Sequence, residues 1–154
     1  MNSIRIEKIM TKRPATVGPD DTFGKAVRLM ASRNITGCPV VSNGRLVGVV
    51  TQTDAIRAID VYGKINNGSD ISSLLISMLK SKDGDPSHLR KLFRTRVSKI
   101  MNKKVVSVDV EHDIYEATRL MNKHNIDRLM VVKSSQLVGI VTKKDIMKFL
   151  GGVS

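Results

Sequence analysis

The chain contains one nine-residue pattern twice, 91 positions apart. Residues 46–54 read Leu-Val-Gly-Val-Val-Thr-Gln-Thr-Asp, and residues 137–145 read Leu-Val-Gly-Ile-Val-Thr-Lys-Lys-Asp. In each copy an aliphatic run, typical of a buried strand, leads into Thr-x-x-Asp, a pattern that begins helices. Each copy therefore predicts a strand that passes directly into a helix.

The repetition extends well beyond these nine residues. Residues 6–59 align with residues 97–150 without a gap, and 19 of the 54 aligned positions are identical. Typical residue frequencies would give about three identities by chance. The chain is therefore two copies of one unit, which we place at residues 1–59 and 97–154, with residues 60–96 inserted between them.

The residue types within each copy predict the order β-α-β-β-α. Thr22 and Asp113 are suited to begin the first helix of each copy, and Asn34 can end it in the left-handed conformation. Asn43-Gly44 is the usual turn of a tight hairpin. The predicted fold class is mixed α/β (α+β), with two such units and a helical insertion.

The inserted residues 60–96 are expected to be helical. Apolar side chains recur at helical spacing from Ile71 to Leu79. Leu92 and Phe93 predict a second, short helix, whose basic residues are Arg90, Lys91, Arg94 and Arg96. These apolar stripes either pack on the two repeats or form part of a dimer surface.

Composition and motifs argue against an enzyme or a metal centre. A length of 154 residues with 41% hydrophobic residues predicts a folded globular chain. Cys38 is the one cysteine, and its place in an apolar strand predicts a buried, structural thiol. The three histidines have no metal-ligand spacing, and the sequence contains neither a phosphate-binding loop nor a Gly-x-Ser-x-Gly motif.

The charge and hydropathy of the chain bear on its partners and location. No apolar run approaches the roughly 20 residues of a membrane helix, and the first residues lack a signal-peptide pattern, so we expect a cytoplasmic protein. The net charge of +12 favours anionic partners. Nucleic acid is therefore an alternative partner, although aromatic residues make up only 3%. Steep weakening of binding by salt would identify it.

The Thr-x-x-Asp turns allow two interpretations. Thr51 with Asp54, and Thr142 with Asp145, fit a capping box that only stabilises the helix start. A helix start also presents free N–H groups and the positive end of the helix dipole. An aspartate there can accept hydrogen bonds from both hydroxyl groups of a ribose. The residues alone leave both interpretations open.

The two copies resemble the CBS (cystathionine beta-synthase) domain, arranged in tandem as a stand-alone Bateman module. The resemblance rests on the paired Ile-Met starts, Thr16-Val17, Ser107-Val108, Pro39-Val40-Val41 and the two Gly-x-x-Thr-x-x-Asp strings. It implies two repeats packed with pseudo-twofold symmetry, a homodimer, and clefts that bind AMP, ADP, ATP or S-adenosylmethionine. It also implies regulation of an unidentified partner protein; a structural dimer with empty clefts is the alternative.

The resemblance assigns residues of both repeats to each cleft. One set is Thr16, Val17, Val40, Thr142 and Asp145; the other is Ser107, Val108, Val131, Thr51 and Asp54. The two aspartates would hold ribose, and the valines would enclose adenine. Arg128 stands where the family often places a basic residue for phosphate, whereas the first copy has Thr36-Gly37-Cys38 there. The cleft with Arg128 is therefore expected to prefer phosphorylated adenosines.

Overall fold

The computed structural model describes residues 3–65 and 87–152. The helices are α1 (Phe23–Arg33), α2 (Gln52–Ile65), α3 (Ser87–Arg94), α4 (Ile114–His124) and α5 (Lys143–Leu150). The strands are β1 (Thr11–Lys12), β2 (Gly37–Ser42), β3 (Arg45–Thr51), β4 (Ser107–Asp109), β5 (Arg128–Lys133) and β6 (Gln136–Thr142). The mixed α and β fold is confirmed. The second copy has the full β-α-β-β-α order, whereas the first strand of the first copy is reduced to one bridge, Val17 with Val40.

The predicted helix boundaries are confirmed by their capping geometry. The Thr22 side chain accepts a hydrogen bond from the Lys25 N–H at 3.2 Å at the start of α1. The Asp113 carboxylate accepts one from the Glu116 N–H at 3.0 Å at the start of α4. Asn34 follows α1 with φ 51°, and its counterpart Asn125 follows α4 with φ 50°. Asparagine tolerates this left-handed conformation better than most residues do, so it ends both helices.

The two hairpins have the same backbone but different turn residues. In the first, Asn43 and Gly44 have φ values of 50° and 78°, as the Asn-Gly pair predicts. In the second, Ser134 and Ser135 have φ values of 49° and 67°. Serine has no special preference for this region, so the second hairpin adopts its turn against local preference.

The described chain divides into two compact units that do not follow the order of the sequence. Unit A comprises residues 3–16, 41–47 and 104–152, and unit B comprises residues 17–40, 48–65 and 87–103. Each unit joins the opening segment of one copy to most of the other copy, and unit A also contains residues 41–47 of the first copy. In unit A the Ile6 N–H donates to the His112 carbonyl at 3.1 Å, and in unit B the Val97 N–H donates to the Asp21 carbonyl at 2.8 Å.

Unit A is built around β6. β5 lies antiparallel beside it, with Arg128 opposite Thr142. β1 also pairs antiparallel with β6, and β4 runs parallel to β5. The core of this unit consists of Ile6, Val108, Val110, Ala117, Met121, Leu129, Val131, Val141 and Ile146.

Unit B contains the described part of the insertion. Leu92 of α3 is 3% exposed and packs with Phe23 of α1 and Ala55 of α2. The rings of Phe23 and Phe93 lie 6.0 Å apart between centroids. The expectation that the insertion packs on a repeat therefore holds for α3. The stripe from Ile71 to Leu79 lies outside the described residues.

Two glycines lie directly against the methionines of the Ile-Met starts. A Cβ atom on Gly139 would lie 2.5 Å from Sδ of Met10 in unit A. A Cβ on Gly48 would lie 2.6 Å from Sδ of Met101 in unit B. A larger residue at either position would displace the methionine, and the two units share this packing arrangement.

Candidate functional site

The turn from β6 into α5 is a complete capping box in unit A. The Thr142 hydroxyl accepts a hydrogen bond from the Asp145 N–H at 3.2 Å. Oδ2 of Asp145 accepts two in return, from the Thr142 N–H at 2.8 Å and from the Thr142 hydroxyl at 2.7 Å. The capping interpretation of this pattern is therefore confirmed.

The turn from β3 into α2 repeats this geometry in unit B. Oδ2 of Asp54 accepts hydrogen bonds from the Thr51 N–H and from the Thr51 hydroxyl, each at 2.9 Å. The Asp54 N–H donates to the Thr51 hydroxyl at 3.2 Å. Both aspartates are half-buried.

Each aspartate uses one carboxylate oxygen for the cap. Within residues 3–65 and 87–152, no donor reaches Oδ1 of Asp54 or of Asp145. An ionised carboxylate oxygen accepts up to two hydrogen bonds. Capping and ligand binding are therefore compatible, because they use different oxygen atoms of one side chain.

Arg128 lies next to the capping box of unit A. It begins β5, directly opposite Thr142 in the register, and its side chain is 17% exposed. Its Nε donates to Oδ1 of Asp127 at 3.1 Å. The Lys143 N–H donates to the Asp127 carbonyl at 2.9 Å, which ties the start of β5 to the start of α5. The register thus places Arg128 beside the residue that caps α5.

The backbone of this arrangement recurs in unit B with different side chains. The Gln52 N–H donates to the Thr36 carbonyl, also at 2.9 Å. Gly37 stands in the place of Arg128, and Gln52-Thr53 stands in the place of Lys143-Lys144. The two lysines were not among the predicted site residues. The difference between the copies at these positions is the signal that could have identified them.

The predicted adenine-enclosing valines lie in the core. Val17 and Val108 are 3% exposed, and Val40 and Val131 are fully buried. Val17 pairs with Val40 in unit B, and Val108 lies opposite Val131 in unit A. An adenine ring would therefore meet the backbone of these strands unless the side chains moved.

The two hydroxyl residues predicted beside the valines are accessible. Thr16 and Ser107, both in unit A, are exposed. Ser107 lies opposite Met130 at the start of β4, one position before Val108. Its hydroxyl is thus available at the surface, next to the buried strand pair.

Cys38 and the acidic residues provide no further reactive site among the described residues. Cys38 is fully buried, and burial raises the pKa of its thiol to about 11. No group of three or more His, Cys, Asp or Glu residues in the described ranges could hold a metal ion. Within the same ranges, no helix is both long and apolar enough to cross a membrane.

Comparison with known proteins supports one family. The model of the CBS domain matches residues 6–61 and again residues 97–152. The CBS domain-containing protein YhcV of Bacillus subtilis is 30% identical over 92% of this chain and 81% of its own length. Two longer relatives from Methanocaldococcus jannaschii are 28% and 31% identical, but this chain spans only 40% and 32% of their lengths.

Solved structures agree with that match. The CBS domain of a membrane protein from Sphaerobacter thermophilus superposes with a TM-score of 0.73 at 30% identity, covering 95% of this chain and 87% of that one. The structure of CBSX2 in complex with AMP has a TM-score of 0.72 at 22% identity, covering 97% of each chain. The CBS pair of MJ0100, in complex with 5-methylthioadenosine and S-adenosyl-L-methionine, has a TM-score of 0.69, also at 22% identity, covering 97% and 98%. The two matched segments together span most of the residues, and the chain belongs to the CBS domain family.

Proposed function

We propose that this chain is a regulatory module that binds an adenosyl compound at its two Thr-x-x-Asp turns and catalyses no reaction itself. The observation that carries the proposal is the same in both turns. Oδ2 of the aspartate is engaged in the cap, and Oδ1 accepts no hydrogen bond from the described residues. A regulated partner protein would sense the bound ligand.

A ribose suits the available carboxylate oxygen. Its 2′ and 3′ hydroxyl groups are adjacent donors, and Oδ1 can accept from both. Hydrogen bonds to a charged acceptor contribute about 1.5–3 kcal/mol each when they replace water. Because the cap already holds the aspartate in place, little side-chain freedom is lost on binding.

The two turns should differ in their preference for phosphate. Arg128 lies opposite Thr142 and Lys143-Lys144 begins α5, whereas the first copy has no basic residue at the matching positions. A guanidinium fork and a helix N-terminus both favour phosphate. The turn with Asp145 is therefore proposed for AMP, ADP or ATP. The turn with Asp54 would bind nucleotide more weakly or take an adenosyl ligand without phosphate, such as S-adenosylmethionine.

The known complexes support the ligand class only through the shared fold. CBSX2 with AMP, and the MJ0100 pair with methylthioadenosine and S-adenosylmethionine, are each 22% identical to this chain. Both complexes show that this fold can bind adenosyl compounds, which supports the proposed ligand class. The choice of ligand and the sharing of each cleft between both repeats stay predictions.

A homodimer is the proposed assembly. Ile56 on α2 and its counterpart Met147 on α5 are 62% and 65% exposed, and Leu150 is 69% exposed. Large apolar side chains at matching positions of both copies are typical of a covered surface. A second copy of the chain, carrying the same faces, is the simplest occupant because homodimers pair identical patches.

Calorimetric titration with AMP, ATP, S-adenosylmethionine and adenosine tests the proposed function. We expect at least one of them to bind, with a stoichiometry of one or two per chain and no catalytic turnover. Guanosine monophosphate, which carries the same ribose and phosphate, serves as the control for base selectivity. Absence of binding by all four at about 1 mM, where even weak complexes form, would contradict the proposal.

A further inference from the structure

Unit A contains a cavity at the hairpin end of β5 and β6. Its volume is about 390 Å³, which lies within the usual size range of small-molecule sites. Met10, Val110, Leu137 and Val138 form an apolar surface within it. We refer to this cavity as the hairpin-end pocket.

The hairpin-end pocket is distinct from the proposed ribose site. Lys133 of β5 and Leu137 of β6 line the pocket. Arg128 and Thr142 lie at the opposite ends of the same two strands. Strands rise about 3.4 Å per residue, so the two sites are roughly 17–20 Å apart. One small ligand cannot occupy both.

The charged residues of the pocket leave an excess of positive charge. Glu7 is paired with Lys12 at 3.6 Å, and Glu111 is paired with Arg5 at 3.1 Å. Arg13 and Lys133 also line the pocket. Neither side chain forms an ion pair or a hydrogen bond within the described part of the chain. Two cations beside an apolar surface suit a ligand that combines an anionic group with an apolar body.

Arg13 adopts a backbone conformation that its residue type does not favour. Its φ is 51°, in the left-handed region where glycine and asparagine are usual. Non-glycine residues held in this region concentrate at ligand-binding positions, where the surrounding structure maintains the strain. Arginine at this position therefore lowers the stability of the fold, and a binding role would explain why an arginine stands there.

We propose that the hairpin-end pocket is a second binding site, specific for a small organic anion with an apolar body. Arg13 and Lys133 bind the anionic group, which is a phosphate or carboxylate. Met10, Val110 and Leu137 contact the apolar part. The matching positions reproduce this charge pattern only in part. Lys104 matches Arg13, but Ser42 of the first copy stands in the place of Lys133, and Ser98 of the second copy stands in the place of Glu7.

Phenyl phosphate is the probe for this site, titrated into the full chain and followed by amide chemical shifts in NMR spectra. We expect shifts at Arg13, Val110 and Lys133, and weaker binding of both phenol and inorganic phosphate. The Arg13→Gly change should weaken phenyl phosphate binding about tenfold, because a charge-assisted contact is lost, and should also raise the melting temperature by removing the strain. Lys133→Ala should weaken binding without that gain in stability.

Arg33→Ala is the matched control, because Arg33 is exposed and lies in unit B; it should leave binding unchanged. Four results would overturn the proposal, and the first three concern affinity. These are no binding of phenyl phosphate at millimolar concentration, equal affinity for phenol, or unchanged affinity in the Arg13→Gly variant. Shifts confined to Thr142 and Asp145 would also overturn it, because they would place the probe at the proposed ribose site.

Discussion

At the scale of single residues, the proposed function gives Asp54 and Asp145 two tasks, one for each carboxylate oxygen. Oδ2 completes the helix cap, and Oδ1 accepts no hydrogen bond from the residues that the structure describes. A capping box contributes about 1 kcal/mol to stability whether or not a ligand is present. The stabilising role therefore does not argue against binding, and binding does not require the helix start to rearrange.

Arg128 is expected to discriminate AMP from adenosine. The Arg128→Ala change should weaken AMP binding by about 10- to 100-fold, the effect of losing one or two bonds to a charged group, and leave adenosine binding nearly unchanged. Titration of both ligands into parent and variant measures this. Lys123→Ala, at an exposed position at the end of α4, is the control. Equal losses for AMP and adenosine would mean that Arg128 supports the fold, through its bond to Asp127, and not the phosphate.

Cys38 should be unreactive in the folded protein. Burial raises the pKa of its thiol to about 11, so at pH 8 only about one thiol in a thousand would be ionised, and the reactive species is the thiolate. A thiol reagent should therefore modify the native chain at pH 8 only as fast as it unfolds, and modify it at once in denaturant. Rapid stoichiometric modification of the native protein would contradict this assignment.

At the scale of elements, the two hairpins form a natural comparison, because one backbone turn is made by Asn43-Gly44 and by Ser134-Ser135. Exchanging the second turn residue between the copies tests whether the left-handed backbone of Ser135 is strained. Ser135→Gly should increase the free energy of unfolding by about 0.5–1 kcal/mol, since relief of the left-handed conformation exceeds the added entropy of the unfolded chain.

The reciprocal change, Gly44→Ser, should have the opposite effect. It introduces the same strain, and its Cβ would collide with Oε1 of Gln136. A destabilisation of about 1–3 kcal/mol is expected, measured by urea denaturation of both variants beside the parent. If the two exchanges shift stability in the same direction, the strain explanation fails.

Local patterns predicted the elements wherever the residue type itself carries the conformational preference. Asn34 and Gly44 favour positive φ, and Thr22 and Asp113 favour helix starts, so these boundaries were predicted correctly. The conformation of Ser134 and Ser135 could not be predicted from the residues, because the strand pairing on both sides imposes it. For the candidate site, the Thr-x-x-Asp pattern predicted the capping geometry, but it does not specify that one carboxylate oxygen alone serves the cap, because that depends on the side-chain rotamer.

At the scale of the whole molecule, the least predictable feature is which copy each opening segment joins. Ile9-Met10 and Ile100-Met101 are identical in sequence, and either methionine could pack on either glycine. The structure pairs Met10 with Gly139 and Met101 with Gly48. The choice depends on chain connectivity and strand pairing, and no local residue preference encodes it.

The proposed homodimer can be tested at this scale by sedimentation. The parent should be dimeric at micromolar concentration, and the double change Ile56→Glu with Met147→Glu should make it monomeric, because charges on a buried apolar interface are costly. Tyr115→Ala, at a 77% exposed position on α4, serves as a control that keeps the dimer. A parent that sediments only as a monomer would contradict the assembly.

The proposed regulatory role depends on Asp145 and Asp54 binding the ribose of an adenosyl ligand. The most direct measurement is the calorimetric affinity of AMP and of 2′,3′-dideoxyadenosine monophosphate for the parent, Asp145→Asn and Asp54→Asn chains. We predict that the parent prefers AMP by about tenfold or more. We also predict that Asp145→Asn abolishes most of this preference while the folded state persists, since asparagine retains an acceptor for the cap, and that Asp54→Asn has the smaller effect. Equal affinity of the parent for both nucleotides, or an unchanged preference in both variants, would contradict the claim and leave the two aspartates as helix caps alone.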